Sequence, residues 1–137
     1  MTTRNSDAVW NGNLAEGAGL VALGSEMFTG PYTFASRFEQ GAGTNPEELL
    51  GAAHASCFSM FLANVISGAG KQVTSVRTTA SVTLGDGPAI TGVALSVTAE
   101  VPGLSEADFA QHVKTTEAGC PISAALSVPI TVDARLS

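Results

Sequence analysis

Two hydrophobic patterns divide the chain. From Val76 to Val101 the apolar positions alternate. Val76, Thr78, Ala80, Val82 and Leu84 share one side, with Ser75, Arg77, Thr79, Ser81 and Thr83 on the other. After Gly85-Asp-Gly-Pro88 the alternation resumes, with Thr91, Val93, Leu95, Val97, Ala99 and Val101 set against Gly92, Ala94, Ser96, Thr98 and Glu100. Period two on both sides of a turn predicts a long, half-buried antiparallel hairpin. From Leu49 to Ile66, by contrast, nearly every residue is apolar or small. A helix with no polar face is a buried one, so this stretch predicts a long central helix buried on nearly all sides.

The start of that helix is written in its polar residues. Asn45 can cap the first turn, Pro46 suits the first helical position, and Glu47 and Glu48 put negative charge at the positive end. Asn45 with Glu48 matches a capping box. Ser67 and Gly68 end the helix. Cys57 is therefore expected inside the protein, on a rigid support, with small neighbours Ala53, Ala55 and Ser56.

The remaining elements are shorter. Asp7–Asn11 and Gly19–Leu23 read as strands, with Asn11-Gly12 as a turn signal. Gly30-Pro31 is a second turn signal, and Tyr32–Phe38 reads as a third strand. Gln40–Thr44 is a linker into the central helix. Ser105 caps a helix from about Glu106 to Glu117, which Gly119 stops. A short helix follows over Pro121–Leu126, and Val128–Arg135 closes the chain as a strand. Strands, helix, hairpin, helix and strand in that order make an α+β domain over 1–137. There are no repeats or low-complexity tracts.

Composition narrows the function. Hydrophobic residues make up 45% of the chain and charged residues 13%. So little charge favours an oligomer with a large buried interface. Six Lys and Arg against 12 Asp and Glu leave a net charge of −6, which argues against nucleic acid or an anionic membrane as partner. No uninterrupted apolar run has the length of a membrane span, and the first residues lack the apolar core of a signal peptide. A cytoplasmic location is expected.

The chemistry centres on two cysteines, Cys57 and Cys120. Spacing alone leaves two readings open: two small buried hydrophobes, or a functional thiol pair. A thiol reacts as its thiolate, which needs positive charge or a helix N-terminus beside it. Cys120 precedes Pro121 at a helix start and can use the dipole. Cys57 lies mid-helix, so any cation must reach it from elsewhere. Arg37, just ahead of the linker, stands out among the six basic residues; the plainer reading is an exposed strand-end arginine. His54, three positions before Cys57, is either a partner for the thiol or a packed core histidine. His54, Cys57, His112 and Cys120 have the ligand types of a zinc site but none of its usual spacings, and no metal is assigned. Ser67–Lys71 matches a phosphate loop only in part, since Gln72 replaces the Ser/Thr and the segment ends a helix.

Asn45-Pro-Glu-Glu-Leu-Leu-Gly-Ala-Ala-His-Ala-Ser-Cys57-Phe-Ser-Met closely resembles the signature of the osmotically inducible protein C (OsmC) family of thiol peroxidases, sisters of the organic hydroperoxide resistance proteins. Gly119-Cys120-Pro121-Ile122-Ser123 resembles the family's second cysteine motif, and Ser36-Arg37-Phe38-Glu39 resembles the OsmC branch. The resemblance implies an OsmC-like fold, with an antiparallel sheet on the long central helix, and an intertwined homodimer with active sites at the subunit interface. It implies that Cys57 is the peroxidatic thiolate, Cys120 the resolving cysteine, and Arg37 the cation at Cys57, oriented by Glu47. No cofactor is implied. The expected substrate is an organic hydroperoxide, with hydrogen peroxide reduced less readily, and the implied reductant is a dithiol, with lipoyl groups indicated. Phe58, Phe61, Met27 and Phe28 are candidates for the wall that receives the organic group. A redox-sensing or small-ligand-binding protein on the same fold is the alternative. Glu47 and Cys57 lie ten positions apart on one helix, about 15 Å along its axis at ~1.5 Å per residue. An Arg37 held by Glu47 is therefore expected to serve the Cys57 of a partner chain.

Overall fold

The computed structural model describes all 137 residues, in two compact units, Met1–Leu49 and Leu50–Ser137. The first holds a three-stranded antiparallel sheet of β1 (Ser6–Asn11), β2 (Ala18–Leu23) and β3 (Thr29–Tyr32), with β2 in the middle, and a short helix α1 (Phe34–Phe38). Gly12, at φ 96°, begins the turn after β1 as its sequence requires.

The third strand differs from its expected range. Gly30-Pro31 lies inside β3, and Phe34–Phe38 is helical. Pro31 has no N–H to give a ladder, and it is tolerated because β3 is an edge strand. Its carbonyl accepts from Thr44 N–H at 2.9 Å. Thr33 then starts α1 with a capping box. Ser36 N–H donates to Thr33 Oγ1 at 3.1 Å, and Thr33 N–H donates to Ser36 Oγ at 2.8 Å. Two orphan donors satisfied reciprocally outweigh the strand preference of a run rich in aromatics.

Helix α2 (Pro46–Gly68) has 23 residues. Asn45 caps it as expected, its Oδ1 accepting from Glu48 N–H at 2.7 Å. The reciprocal half of the box is replaced: the Glu48 carboxylate accepts from the Thr44 hydroxyl at 2.6 Å.

The second unit contains most of α2 and a sheet ordered β4 (Ser75–Gly85), β5 (Ala89–Glu100), β6 (Ile130–Leu136). The predicted hairpin is β4–β5, paired from Ser75↔Glu100 to Gly85↔Ala89 with a bulge at Thr83/Leu84. The sheet is mixed rather than antiparallel, because β6 runs parallel to β5. The helices α3 (Glu106–Gly119) and α4 (Pro121–Ala125) form the crossover that returns the chain to the same end of the sheet.

The core is built from the inward residues of β5, namely Val93, Leu95, Val97 and Ala99, against Phe58, Leu62 and Ile66 of α2. Phe109 and Val113 of α3 complete it. Gly51 faces β4, where an added Cβ would sit in ordinary contact 3.5 Å from Ala80 O, and Ser59 Oγ donates to Thr78 Oγ1 at 2.7 Å.

One expectation about α2 is corrected. The helix is not buried on nearly all sides. Glu47, Gly51, His54, Phe58, Leu62 and Ile66 form one buried stripe, whereas Ala52, Ala53, Ser56 and Asn64 are exposed and Met60 is 76% exposed. An all-round apolar pattern does not reveal how many sides one chain can cover. By length and composition alone α2 would also suit a membrane span, contrary to the reading of its uninterrupted apolar runs. Its inward stripe is that of a helix packed on a sheet.

Leu62 is fully buried at the centre of this packing. Leu62→Ala should cost about 2–5 kcal/mol in unfolding free energy, measured by denaturant titration. A loss under about 1 kcal/mol would show that the site collapses freely and that this packing is not the core.

Candidate active site

The fold brings the two cysteines together. Cys57 projects from the middle of α2, and Cys120 caps the start of α4 with Pro121 at the first helical position. Both thiols are free, and their sulfurs are 3.3 Å apart. A disulfide needs about 2.05 Å, so closure asks for a side-chain shift of about an ångström. Cys120 is fully buried, while Cys57 is only partly so, which makes Cys57 the sulfur a solvent-borne molecule meets first.

The electrostatics treat the two sulfurs differently. Burial pushes the Cys57 thiol up from its ordinary value; the Ile122 backbone N–H pulls it down, but the Cys120 sulfur beside it adds to the rise. Burial also acts against ionisation of Cys120, yet donors overcome it. The Ser123 backbone N–H, the Ser123 hydroxyl, the Cys57 thiol and the Ile122 backbone N–H bring Cys120 below its ordinary value. The Ile122 and Ser123 backbone N–H groups belong to the first turn of α4, where they have no helical partner, as expected beside a cysteine at a helix start. Within one chain the surroundings therefore favour ionisation of Cys120 over that of Cys57.

His54 is fully buried, and it does not turn to Cys57. Its Nε2 lies 2.7 Å from Ser123 Oγ. Burial holds its pKa below the ordinary value, so the ring is neutral at pH 7. Ser123 lies within the second cysteine motif, but sequence reasoning assigned it no role. The available signal was its position three residues after Cys120, the N-cap of α4.

The first unit forms a second pair. Arg37 Nη2 donates to Glu47 Oε1 at 2.8 Å, and Nε reaches Oε1 and Oε2 at 3.2 and 3.3 Å. The Glu47 side chain is 9% exposed and that of Arg37 33%. Arg37 lies in the last turn of α1, so it is a helical residue rather than a strand-end one. Fixed from one side by a carboxylate, the guanidinium keeps the rest of its fork free for another acceptor. It also borders a cavity of about 410 Å³ lined by Trp10, Leu14, Tyr32, Phe34 and Phe38. Trp10 and Tyr32 meet across the sheet with ring centroids 5.3 Å apart. Sequence reasoning missed this cavity. Its signal was the pair Phe34 and Phe38 flanking Arg37 on a single helical turn.

The four candidate substrate residues do not form one wall. Phe58 is fully buried in the core and borders a small cavity with Ser123 and Glu117. Phe61 packs its ring on Gly119, where any Cβ would clash. Met27 is 83% exposed, and Phe28 borders a different cavity with Pro31 and Thr44.

Comparison with known proteins places these features. The family model described as OsmC-like protein matches residues 39–135. The chain is 43% identical over 137 residues to the protein named Peroxiredoxin OsmC of Escherichia coli (strain K12), covering 97% of this chain and 96% of that one. Among solved structures, an OsmC-like protein of Vibrio cholerae covers 98% of this chain and 100% of its own at TM-score 0.79 and 15% identity. The organic hydroperoxide resistance protein OhrB of Bacillus subtilis covers 97% of this chain and 98% of its own at TM-score 0.66 and 18% identity.

Proposed function

The chain belongs to the OsmC-like protein family, and from that premise we propose that it is a thiol-dependent peroxidase that reduces organic hydroperoxides to alcohols. Cys57 is the peroxidatic cysteine and Cys120 the resolving one. The observation that carries this reading is the 3.3 Å approach of two free thiols, one accessible and one behind it. The Cys57 thiolate attacks the distal peroxide oxygen, the O–O bond breaks, and the alcohol leaves. The resulting sulfenic acid condenses with Cys120 to a disulfide and water, and a dithiol such as a lipoyl group restores both thiols. The 43% identical relative named a peroxiredoxin supports the reaction class. The aromatic cavity beside Arg37 supports an organic group rather than hydrogen peroxide alone. Phe61 lies one turn after Cys57 on α2 and is the candidate left to meet an organic group there, while Met27 and Phe28 offer exposed apolar surface to a partner chain.

One observation favours reversed roles: within one chain the donors of α4 favour Cys120, not Cys57, as thiolate. Access decides against that reading, because Cys120 is fully buried. A peroxidatic Cys57 then requires a cation that its own surroundings lack. Arg37, gripped by Glu47, is that cation, and it is supplied by a second chain in a homodimer. The exposed stripe of α2, Ala52, Ala53, Ser56 and Met60, is the surface the partner covers. With two α2 helices antiparallel, the start of one approaches the middle of the other.

The assignment of roles is tested in a single turnover. Cys57→Ser should consume no peroxide. Cys120→Ser should consume about one equivalent and stop at a sulfenic or over-oxidised Cys57, read by mass spectrometry. The opposite pattern would reverse the two cysteines.

The shared site is tested by mixing lesions. Cys57→Ser and Glu47→Ala homodimers should both be weak or inactive. The purified heterodimer should regain one site, with Cys57 from one chain and Glu47 from the other. A heterodimer no better than its parents would place each site within one chain.

A further inference from the structure

Phe61 stands four residues after Cys57 on α2, one turn and ~6 Å further along the same face. Gly119 stands one residue before Cys120. These two pairs meet side by side. The cysteine sulfurs are 3.3 Å apart, and the tip of the Phe61 ring occupies the place where a side chain of residue 119 would begin. A Cβ there would run into Cζ of the ring and lie 2.8 Å from Cε1 and 3.3 Å from Cε2. The backbone does not ask for glycine at this position. Gly119 is the last residue of α3 and is not among the glycines with positive φ. Alanine would be the better helix former by ~1 kcal/mol. What glycine contributes is room for the ring.

The chain beyond that contact is held as well. Cys120 N–H donates to Thr116 O at 2.9 Å, and Cys120 O accepts from Ala124 N–H at 3.0 Å. With both backbone groups committed, the Cys120 sulfur is placed by its χ1 torsion and by the seating of α2 against the corner between α3 and α4. Contacts on both sides of the sulfur pair set that seating. One turn before Cys57, His54 Nε2 meets Ser123 Oγ at 2.7 Å. One turn after it, Phe61 meets Gly119.

We propose that Phe61 and Gly119 are positioning residues for closure of the Cys57–Cys120 disulfide: the ring seated on the glycine holds the buried thiol within reach of Cys57. This rests on the reading in which Cys57 reacts first and Cys120 resolves it. In that step Cys120 gives up its proton and its sulfur bonds to the sulfenic sulfur of Cys57. The S–O bond breaks, and the oxygen leaves with the bonding pair and takes up one proton as water. Phe61 and Gly119 exchange no proton or electron pair; they act on distance alone. Closure takes the sulfurs from 3.3 Å to about 2.05 Å, and a misplacement of about 1 Å can cost ~100-fold in rate. A methyl group on residue 119 cannot share the space of the ring. The ring yields only by changing rotamer, and in a helix χ1 near +60° is closed to it. Otherwise α2 and the corner part, and the sulfurs part with them.

Two measurements on the full-length protein test this. In the first, reduced protein meets one equivalent of cumene hydroperoxide. Peroxide loss reports step one, and disappearance of the trappable Cys57 sulfenic acid reports step two. Gly119→Ala should leave step one unchanged and slow step two about 10- to 100-fold. The second needs no peroxide: the cysteine pair is equilibrated with reduced and oxidised glutathione. The Gly119→Ala disulfide should be about tenfold less favoured, or ~30 mV easier to reduce. Leucine lacks the three ring atoms that a Cβ would meet, so Phe61→Leu combined with Gly119→Ala should recover both the ratio of the two steps and the glutathione equilibrium. Phe61→Leu alone uncovers Gly119 without a clash, and should lower that ratio and shift that equilibrium in the same direction as Gly119→Ala; it carries the test if the alanine variant does not fold. A role in stability alone would move the denaturant midpoint of the reduced protein and leave the glutathione equilibrium where it was. The proposal is overturned if Gly119→Ala closes its disulfide and equilibrates like the unmodified protein, or if the double variant is as impaired as its two parents summed. Absence of step one in the unmodified protein would overturn the peroxidase reading instead, and the glutathione equilibrium would still decide the contact.

Discussion

Cys57 sits in the middle of a helix whose backbone N–H groups are already committed to helical hydrogen bonds, so nothing on its own element can stabilise a thiolate. Burial raises its pKa further. The proposed site is built around that constraint. Packing of Phe58, Leu62 and Ile66 on β5 fixes the rotation of α2. That rotation turns His54 and Cys57 toward the start of α4, where Cys120 and Ser123 wait. In the other unit α1 and the first turn of α2 hold Arg37 and Glu47 as a preformed cationic fork. A rigid support gives precise placement of the sulfur, at the cost of leaving its ionisation to groups that come from outside the helix.

Much of this was legible in the sequence because it follows from local rules. Asn45-Pro46-Glu-Glu marks the start of α2, and the alternation from Val76 to Val101 gives β4, β5 and the core face of β5. The two cysteine motifs located both thiols. What failed to show was nonlocal or competitive. The Tyr32–Phe38 run reads as a strand after the Gly30-Pro31 turn signal, but the reciprocal hydrogen bonds of Thr33 and Ser36 make it α1. The parallel pairing of β6 depends on the path of α3 and α4, which no strand pattern encodes. His54 found Ser123, 69 positions away, rather than its helical neighbour Cys57.

The apolar character of α2 illustrates a limit of pattern reading. Its sequence asks for cover on all sides, and one chain covers a single stripe. The uncovered side carries Ala52, Ala53, Ser56, Met60 and Asn64. The alanines and the serine are small enough for another helix to approach closely, while Asn64 is a polar residue near the end of the helix. Stability and chemistry meet on this side: the surface left open by the fold lies on the helix that carries Cys57. In the proposed homodimer, covering it would dry the thiol and strengthen any charge brought beside it, because charge interactions strengthen as the local dielectric falls.

The central claim is that the thiol pair turns over as a peroxidase, not merely as a disulfide switch. Steady-state peroxide consumption by the purified protein with a dithiol reductant tests it most directly, with cumene and tert-butyl hydroperoxide run beside hydrogen peroxide. The account predicts many turnovers per protein, faster with the two organic hydroperoxides than with hydrogen peroxide. Consumption that stops after about one equivalent despite excess dithiol would contradict it, and would leave a redox-sensing protein on the same fold.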